Sequence, residues 1–353
     1  MRRVLFVFLA LFAMSTYAQA QSAPLVSPTP TPKPQELGRG LAAPDYGDLA
    51  ALEFRDAPLN EEFITLHPDL RLVGVLVLSS PDDRFGGLSG LVWEKGRGLS
   101  AISDRGWRIT GLPDRVAPPP TKRGVRIAPL LDEYGEKLAS YDSDAEGAAL
   151  DPRGGWLVSF EGVHRIWRYP AIDSPALKMR GAPEWDELQS NSGLEAIAAA
   201  SDGSIYAIPE RSGAEDEPFP VWRRSGEAWE KLYLPRSGAF LITDAAFGPD
   251  GKLYVLERSL SLLGGFAMRI RRAEVEGLPN GAHLRPQTIA TLSAGSGVDN
   301  MEGLSFAPAD PGPLREDGRD EVRLLVVSDD NYRFFQRTLL IEFRLAYEGA
   351  EPL

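Results

Sequence analysis

Acids recur in this chain at matching ends of short hairpins. Glu195 and Glu210 bracket SGLEAIAAASDGSIYAIPER (192–211), which reads as strand, Asp-Gly turn, strand. Glu146 and Glu161 bracket the same layout in DAEGAALDPRGGWLVSFEG (144–162), and Asp244 and Glu257 do so in ITDAAFGPDGKLYVLERS (242–259). Glu302 and Asp329 flank a fifth version, NMEGLSFAP to RLLVVSDDN, interrupted by a polar insertion, and SGLVWEKGRGLSAISDRG (89–106) pairs Ser89 with Asp104. Residues placed symmetrically about the turn face each other across an antiparallel hairpin, with Cβ atoms about 4.5–5.5 Å apart. Directly opposed like charges destabilise by up to about 1 kcal/mol each. Carboxylates gathered in such numbers need raised pKa values, arginine partners or bound cations. Abundant oxygen donors, with no thiols, match a hard cation such as Ca²⁺. Arg105, Arg211 and Arg258 each follow the second acid of a pair and supply part of the arginine remedy. The plainer alternative is that the acids satisfy loop N–H groups or arginines of a neighbouring element and do no chemistry.

The elements that must position these acids follow from the repeat. Its copies start about fifty residues apart, the length of one four-stranded propeller blade. Two further strands fit after most copies: FPVWRRSG and WEKLYLP after the third, GFAMRIRRAEV and RPQTIATLS after the fourth. After the fifth, only TLLIEFRL (338–345) remains, while RLVGVLVL (71–78) is unused near the N-terminus. The spacing therefore predicts an all-β, five-bladed propeller, with that N-terminal strand inserted as the outer strand of the last blade. Such closure leaves few open edges. Six blades are the alternative if residues 45–78 form more than one strand. The first hairpins are poor in bulk (GLSGL, EGAAL, EAIAAA, DAAF, EGLSF), which places them at the central channel, where neighbouring blades approach closely. All five pairs would then meet at one mouth of that channel.

Composition narrows the functional classes. Residues 1–20 combine a basic start, the apolar run VLFVFLALFA and Ala18-Gln19-Ala20, the pattern of a signal peptide cleaved after Ala20. Arg2-Arg3 leaves both the general and the twin-arginine export routes open. A proline-rich linker follows (21–44), then a single domain (45–353), expected to be periplasmic or secreted with no membrane span. The chain has no cysteine, which excludes disulfides, thiolate metal sites and a cysteine nucleophile. A net charge of −12 argues against nucleic-acid partners. It also means that an anionic substrate needs something to offset the carboxylates. His67, His164 and His283 match no repeat position and read as satisfied or surface side chains. Ser89 in GGLSGL lacks the G-x-S-x-G elbow, so a Ser-His-Asp hydrolase is poorly supported. There is no phosphate-cradling or dinucleotide fingerprint.

The ordered set GGLSGLVW, SAISDRG, DAEGAALDPRGGWLVSFEG, NSGLEAIAAASDG, YAIPER, ITDAAFGPDGKLYVLERS, NMEGLSF and VVSDDN resembles the phytase-like family of bacterial proteins, over roughly residues 63–345. That resemblance implies esterase-like activity on phosphate esters, by analogy with calcium-dependent phytases. It implies an active region at Asp104, Glu146, Glu161, Glu195, Glu210, Asp244, Glu257, Glu302 and Asp329. The leading expectation is a Ca²⁺-dependent phosphoric ester hydrolase acting on a small anionic substrate. Glu195 or Glu302 would be its general base, and Arg105, Arg211 and Arg258 would clamp the phosphate. A metal-dependent lactonase or carboxylesterase, and a non-catalytic binding propeller, are the alternatives.

Overall fold

The structure, a computed structural model, describes residues 47–117, 124–189, 193–261, 264–309 and 317–348. The expected leader and proline-rich linker lie outside them. Four N-terminal strands come first: β1 (Asp48–Ala51), β2 (Glu53–Asp56), β3 (Ile64–Leu66) and β4 (Leu70–Ser79). Blade 1 comprises β5 (Leu88–Glu94), β6 (Gly98–Ser103), β7 (Trp107–Leu112) and β8 (Gly124–Pro129). Blade 2 comprises β9 (Ala145–Leu150), β10 (Trp156–Phe160), β11 (Arg165–Tyr169) and β12 (Leu177–Lys178). Blade 3 comprises β13 (Leu194–Ala199), β14 (Ile205–Pro209), β15 (Phe219–Ser225) and β16 (Ala228–Leu234). Blade 4 comprises β17 (Leu241–Phe247), β18 (Leu253–Ser261), β19 (Gly265–Ala273) and β20 (Gln287–Leu292). Blade 5 is β21 (Asn300–Pro308), β22 (Asp320–Asp329) and β23 (Thr338–Tyr347), completed by β4, which pairs antiparallel with β23. The ring therefore closes as the unused N-terminal strand predicted, with five blades rather than six.

Residues 48–66 form more than the repeat predicts. β1, β2 and β3 add a fifth, outermost strand to blades 1, 5 and 4 in turn, on β8, β4 and β20. They cover edges that would otherwise offer unpaired backbone groups, and they span the seam where blade 5 meets blade 1.

Core packing follows from strand alternation. Successive side chains point to opposite faces, so each blade supplies residues to two interfaces. In β22, Val326 packs with blade 4 while Leu325 and Val327 pack with blade 1. The buried residues form five clusters, one between each pair of adjacent blades. This is why the strands read as nearly continuous apolar runs.

At the axis the inner strands β5, β9, β13, β17 and β21 touch in a closed cycle. Small residues there are a steric requirement: a Cβ on Gly147 would lie 2.5 Å from the Glu195 carbonyl oxygen, and one on Gly90 2.8 Å from the Ala148 nitrogen. The channel is chemically polarised. One end is a dimple of about 170 Å³ lined by residues such as Leu91, Ala148, Ala198, Ala245 and Leu304, one inner strand from each blade. The acids sit at the other end.

Candidate metal centre at the channel mouth

Each first hairpin carries a β-bulge, and the bulge sets which acids enter the mouth. The register shifts between Leu88 and Gly90 in blade 1, Val158 and Phe160 in blade 2, Leu194 and Ala196 in blade 3, Ile242 and Asp244 in blade 4, and Met301 and Gly303 in blade 5. The extra inner-strand residues are Ser89, Glu146, Glu195, Thr243 and Glu302. A bulge re-aims a side chain and commonly occurs beside functional sites. The next pair outward sets Asp104 opposite Gly87, Glu161 opposite Asp144, Glu210 opposite Gly193 and Asp329 opposite Asn300. The symmetric pairs expected from turn-centring are thus offset by the bulge, and the partner of Glu161 is Asp144, absent from the expected set.

Blade 4 departs from the expectation. Counted from its Asp-Gly turn, Asp250-Gly251, the positions equivalent to Glu195 and Glu210 are Thr243 and Arg258. Asp244 and Glu257 lie one residue further in, and a one-residue shift on a strand sends a side chain to the other face. Both are fully buried. Asp244 accepts from the backbone N–H groups of Ala245 (2.8 Å) and Leu304 (2.7 Å), tying blade 4 to blade 5. Glu257 is held by Arg269 at 2.5 Å and by Arg271, both from β19. Their carboxylates are occupied inside the fold, away from the mouth.

Arg258 takes the ring position vacated by an acid. Its Nε donates to Glu302 Oε1 at 2.9 Å and its Nη2 to Glu210 Oε1 at 3.1 Å. Arg211, half exposed, donates from Nε to Glu210 Oε2 at 2.9 Å. Arg105 is exposed, and its guanidinium stacks 3.4 Å above the Tyr332 ring. The arginine remedy therefore acts mainly on Glu210 and Glu302. Ser89 donates its hydroxyl to the Ala145 carbonyl.

The remaining acids crowd together and, among the described residues, form no salt bridge to an arginine, although Arg105 lies near Asp104 and Arg211 near Glu161. Ligand atoms of Asp144, Glu146 and Glu161 all lie within 4.8 Å of one another. Burial, then the charges of Glu195, Asp144, Glu161 and Glu302, holds the Glu146 carboxyl well above the ordinary range. Glu195 is raised likewise, by burial and then Glu302, Glu210 and Glu161. Asp144 is raised chiefly by burial, against a hydrogen bond with Glu146. Burial also pushes Glu161 and Asp104 up to about 7, with Asp329 and Asp144 adding to the effect on Asp104. Glu302 reaches about 7 despite Arg258, and Asp329 about 6, both mainly from burial. Acids from blades 1, 2, 3 and 5 thus share one electrostatic site. The donor set consists of carboxylate oxygens, which suits a hard cation.

Gly193 is a junction in this site. Its N–H donates to Glu161 Oε1 at 2.9 Å, and its carbonyl accepts from the N–H groups of Glu195 and Glu210. A Cβ there would lie 2.1 Å from His164 Nδ1. His164 is neither satisfied nor at the surface as expected: both ring nitrogens are buried without a hydrogen-bond partner. By contrast, His67 pairs with Asp69, and His283 stacks on Tyr233.

The sequence profile of the phytase-like family, described by an esterase-like activity of phytase, matches residues 83–332. The match covers more than half of the chain and all five inner hairpins, and the chain belongs to this family. No curated protein matches it in sequence. Among solved structures it is similar to the PQQ-bound aldose sugar dehydrogenase of Streptomyces coelicolor, at 14% identity over 79% of this chain and 100% of that one, with a TM-score of 0.44. It is also similar to an α-L-arabinofuranosidase of Podospora anserina (11% identity, 76% and 94% covered, TM-score 0.43). The calcium-binding protein regucalcin of Agrobacterium tumefaciens is a third such structure (15% identity, 79% and 82% covered, TM-score 0.40). At these TM-scores, none of the likenesses bears on chemistry.

Proposed function

We propose that this chain is an exported, cation-dependent hydrolase of phosphate esters, with Ca²⁺ held at the acidic channel mouth. The observation that carries this reading is the convergence of Asp144, Glu146 and Glu161 within 4.8 Å of one another, with no salt bridge from an arginine to any of them among the described residues. These three residues would hold the cation, with Asp104 and Asp329 on the blade 1 side of the same site. A hard cation there supplies charge for a phosphoryl oxygen and acidifies a bound water. It also removes the obstacle that an acidic protein presents to an anionic substrate.

The chain's own residues divide the remaining work. Glu195 is about nine-tenths buried, faces the other carboxylates and, among the described residues, forms no salt bridge to an arginine, which fits it for the role of general base. Glu302, the other candidate base, is tied to Arg258. Arg258 therefore braces the ring, and the exposed Arg105 and half-exposed Arg211 are the groups that meet the incoming anion. The leader sequence supports export, and among the described residues no helix is long and apolar enough to cross a membrane.

Phosphate release from a monoester, a diester and phytate, each in calcium and in chelator, tests the reading. Calcium-dependent release that Glu195→Gln lowers at least a hundredfold supports it, in line with the usual ~10²–10⁴-fold contribution of a general base. Turnover of lactones or carboxylic esters alone would replace it, and no turnover of any ester by folded, calcium-loaded protein would make the mouth a binding site.

A further inference from the structure

Among the described residues, the face that carries the mouth also carries most of the large exposed apolar side chains. Tyr134 and Tyr141 lie in the β8–β9 connection, Val163 follows Glu161, and Leu260 follows Arg258 by two residues; each is more than half exposed. The most exposed pair stands on the loop after Asp329. Phe334 is 101% and Phe335 63% exposed, with ring centroids 5.4 Å apart at 90°.

That loop is built rather than loose. Asp330 accepts from Gly87 N–H and from the Thr338 hydroxyl, both at 3.0 Å, and Asp299 accepts from Arg337 N–H at 3.0 Å. Between these anchors, Asn331 and Tyr332 adopt φ of 48° and 50°, the only positive-φ non-glycine residues among those described. Such conformations are costly and cluster at ligand sites. Tyr332 packs beside Asp104 and under Arg105, so one side of the loop lines the mouth while its tip offers two phenyl rings to solvent. Exposed apolar patches beside a polar site mark ligand contact.

The charge around the loop is mixed: Asp82 on the neighbouring loop is paired with Arg84, Arg333 stands 5.8 Å from the Phe335 ring, and Glu215, Asp216 and Glu217 are exposed. A ligand with one phosphate and an apolar remainder matches both halves of this surface. We propose that the ester taken at the mouth has a bulky apolar alcohol portion, which packs on Phe334 and Phe335 while its single phosphate sits at the carboxylate cluster. This rests on the phosphate-ester reading above. The alcohol's source is either a soluble aryl or alkyl ester or a lipid, which share this chemistry.

The test compares kcat/KM of the calcium-loaded full protein for 1-naphthyl phosphate, glycerol 2-phosphate, phytate and phosphatidic acid in phosphatidylcholine vesicles. The two sources are separated by whether the vesicle lipid or the naphthyl ester is the better substrate. The expected result is a preference for the apolar esters over glycerol 2-phosphate and phytate. The double variant Phe334→Ser/Phe335→Ser should lower the naphthyl-to-glycerol ratio about tenfold through KM, a typical consequence of losing an aromatic anchor. Turnover of glycerol 2-phosphate with no such preference, a ratio unchanged in the variant, or phytate as the best substrate would overturn the apolar contact and leave the hydrolase reading standing. No turnover of any phosphate ester would overturn both.

Discussion

Arg258 of blade 4 reaches across the seam to Glu302 of blade 5, Nε to Oε1 at 2.9 Å, and its other arm holds Glu210 of blade 3. One mostly buried guanidinium thus pairs with acids on the blade 3 to blade 5 side of the ring, while among the described residues no arginine is salt-bridged to Asp144, Glu146 or Glu161 of blade 2. Against the lowering effect of burial, Glu302, Glu210 and Glu195 raise the guanidinium pKa. The asymmetry locates the proposed cation.

Removing that arm should be costly. Arg258→Gln leaves Glu210 and Glu302 without their shared partner, and breaking a buried pair costs about 3–5 kcal/mol. Urea unfolding at pH 8 should show the loss. At pH 5 it should shrink, because Glu302 then binds a proton. Equal losses at both pH values would mean that the arginine acts by packing.

The mouth acids make the metal-free protein sensitive to base. Asp104, Glu161 and Glu302 titrate near 7 and Asp329 near 6, above their unfolded values of 3.8 for Asp and 4.5 for Glu. The folded state then holds more protons than the unfolded one between about pH 4 and 7, so stability falls as pH rises through that window. In chelator, the melting temperature should drop from pH 5 to pH 8, and calcium should restore it at pH 8. A flat or rising profile in chelator would contradict the assignment.

Glu257 and Glu146 should behave oppositely although both are acids of the repeat. Glu257→Gln leaves Arg269 and Arg271 buried without their carboxylate, a loss of about 3–5 kcal/mol, and should leave calcium stoichiometry intact. Glu146→Gln removes a crowded charge, so the metal-free protein at pH 8 should become more stable while calcium binding weakens. Thermal melts with and without calcium separate the two. Stabilisation by Glu257→Gln would contradict its internal role.

The N-terminal strands should act as a clasp. Leu52, 2% exposed, enters the core between blades 5 and 1 from the turn between β1 and β2. Leu52→Ala should cost about 2–5 kcal/mol, and deletion of residues 48–66 should expose strand edges on three blades and promote aggregation. Size-exclusion chromatography of the deletion variant checks this. A stable monomer would show that the ring closes on β4 alone.

The fifty-residue period and the leftover strand at 71–78 were enough to read the five blades and their closure, because repeat length and strand count are sequence properties. The outer strands at 48–66 were not legible. They are short, and β1 and β2 are largely exposed, so they carry little apolar alternation. At the mouth, symmetry about each turn located Asp104, Glu146, Glu161, Glu195, Glu210, Glu302 and Asp329 but could not reveal the bulge. In blade 4 that symmetry favoured Asp244 and Glu257. Superposing Asp250-Gly251 on Asp202-Gly203 gives Thr243 and Arg258 instead, a signal present in the sequence. Asp144 stood in the quoted DAEG motif, but its place beside Glu161 depends on the register shift. The orphaned ring of His164 depends on packing over Gly193, and no periodicity reports that.

The most direct test of the account is calorimetric titration of calcium into chelator-treated protein and into Glu146→Gln. The account predicts saturable binding by the native chain at neutral pH, accompanied by proton release, and binding weakened at least tenfold in the variant, about 1.4 kcal/mol. No binding by the native chain, or equal affinity in the variant, would show that these carboxylates do not form a cation site.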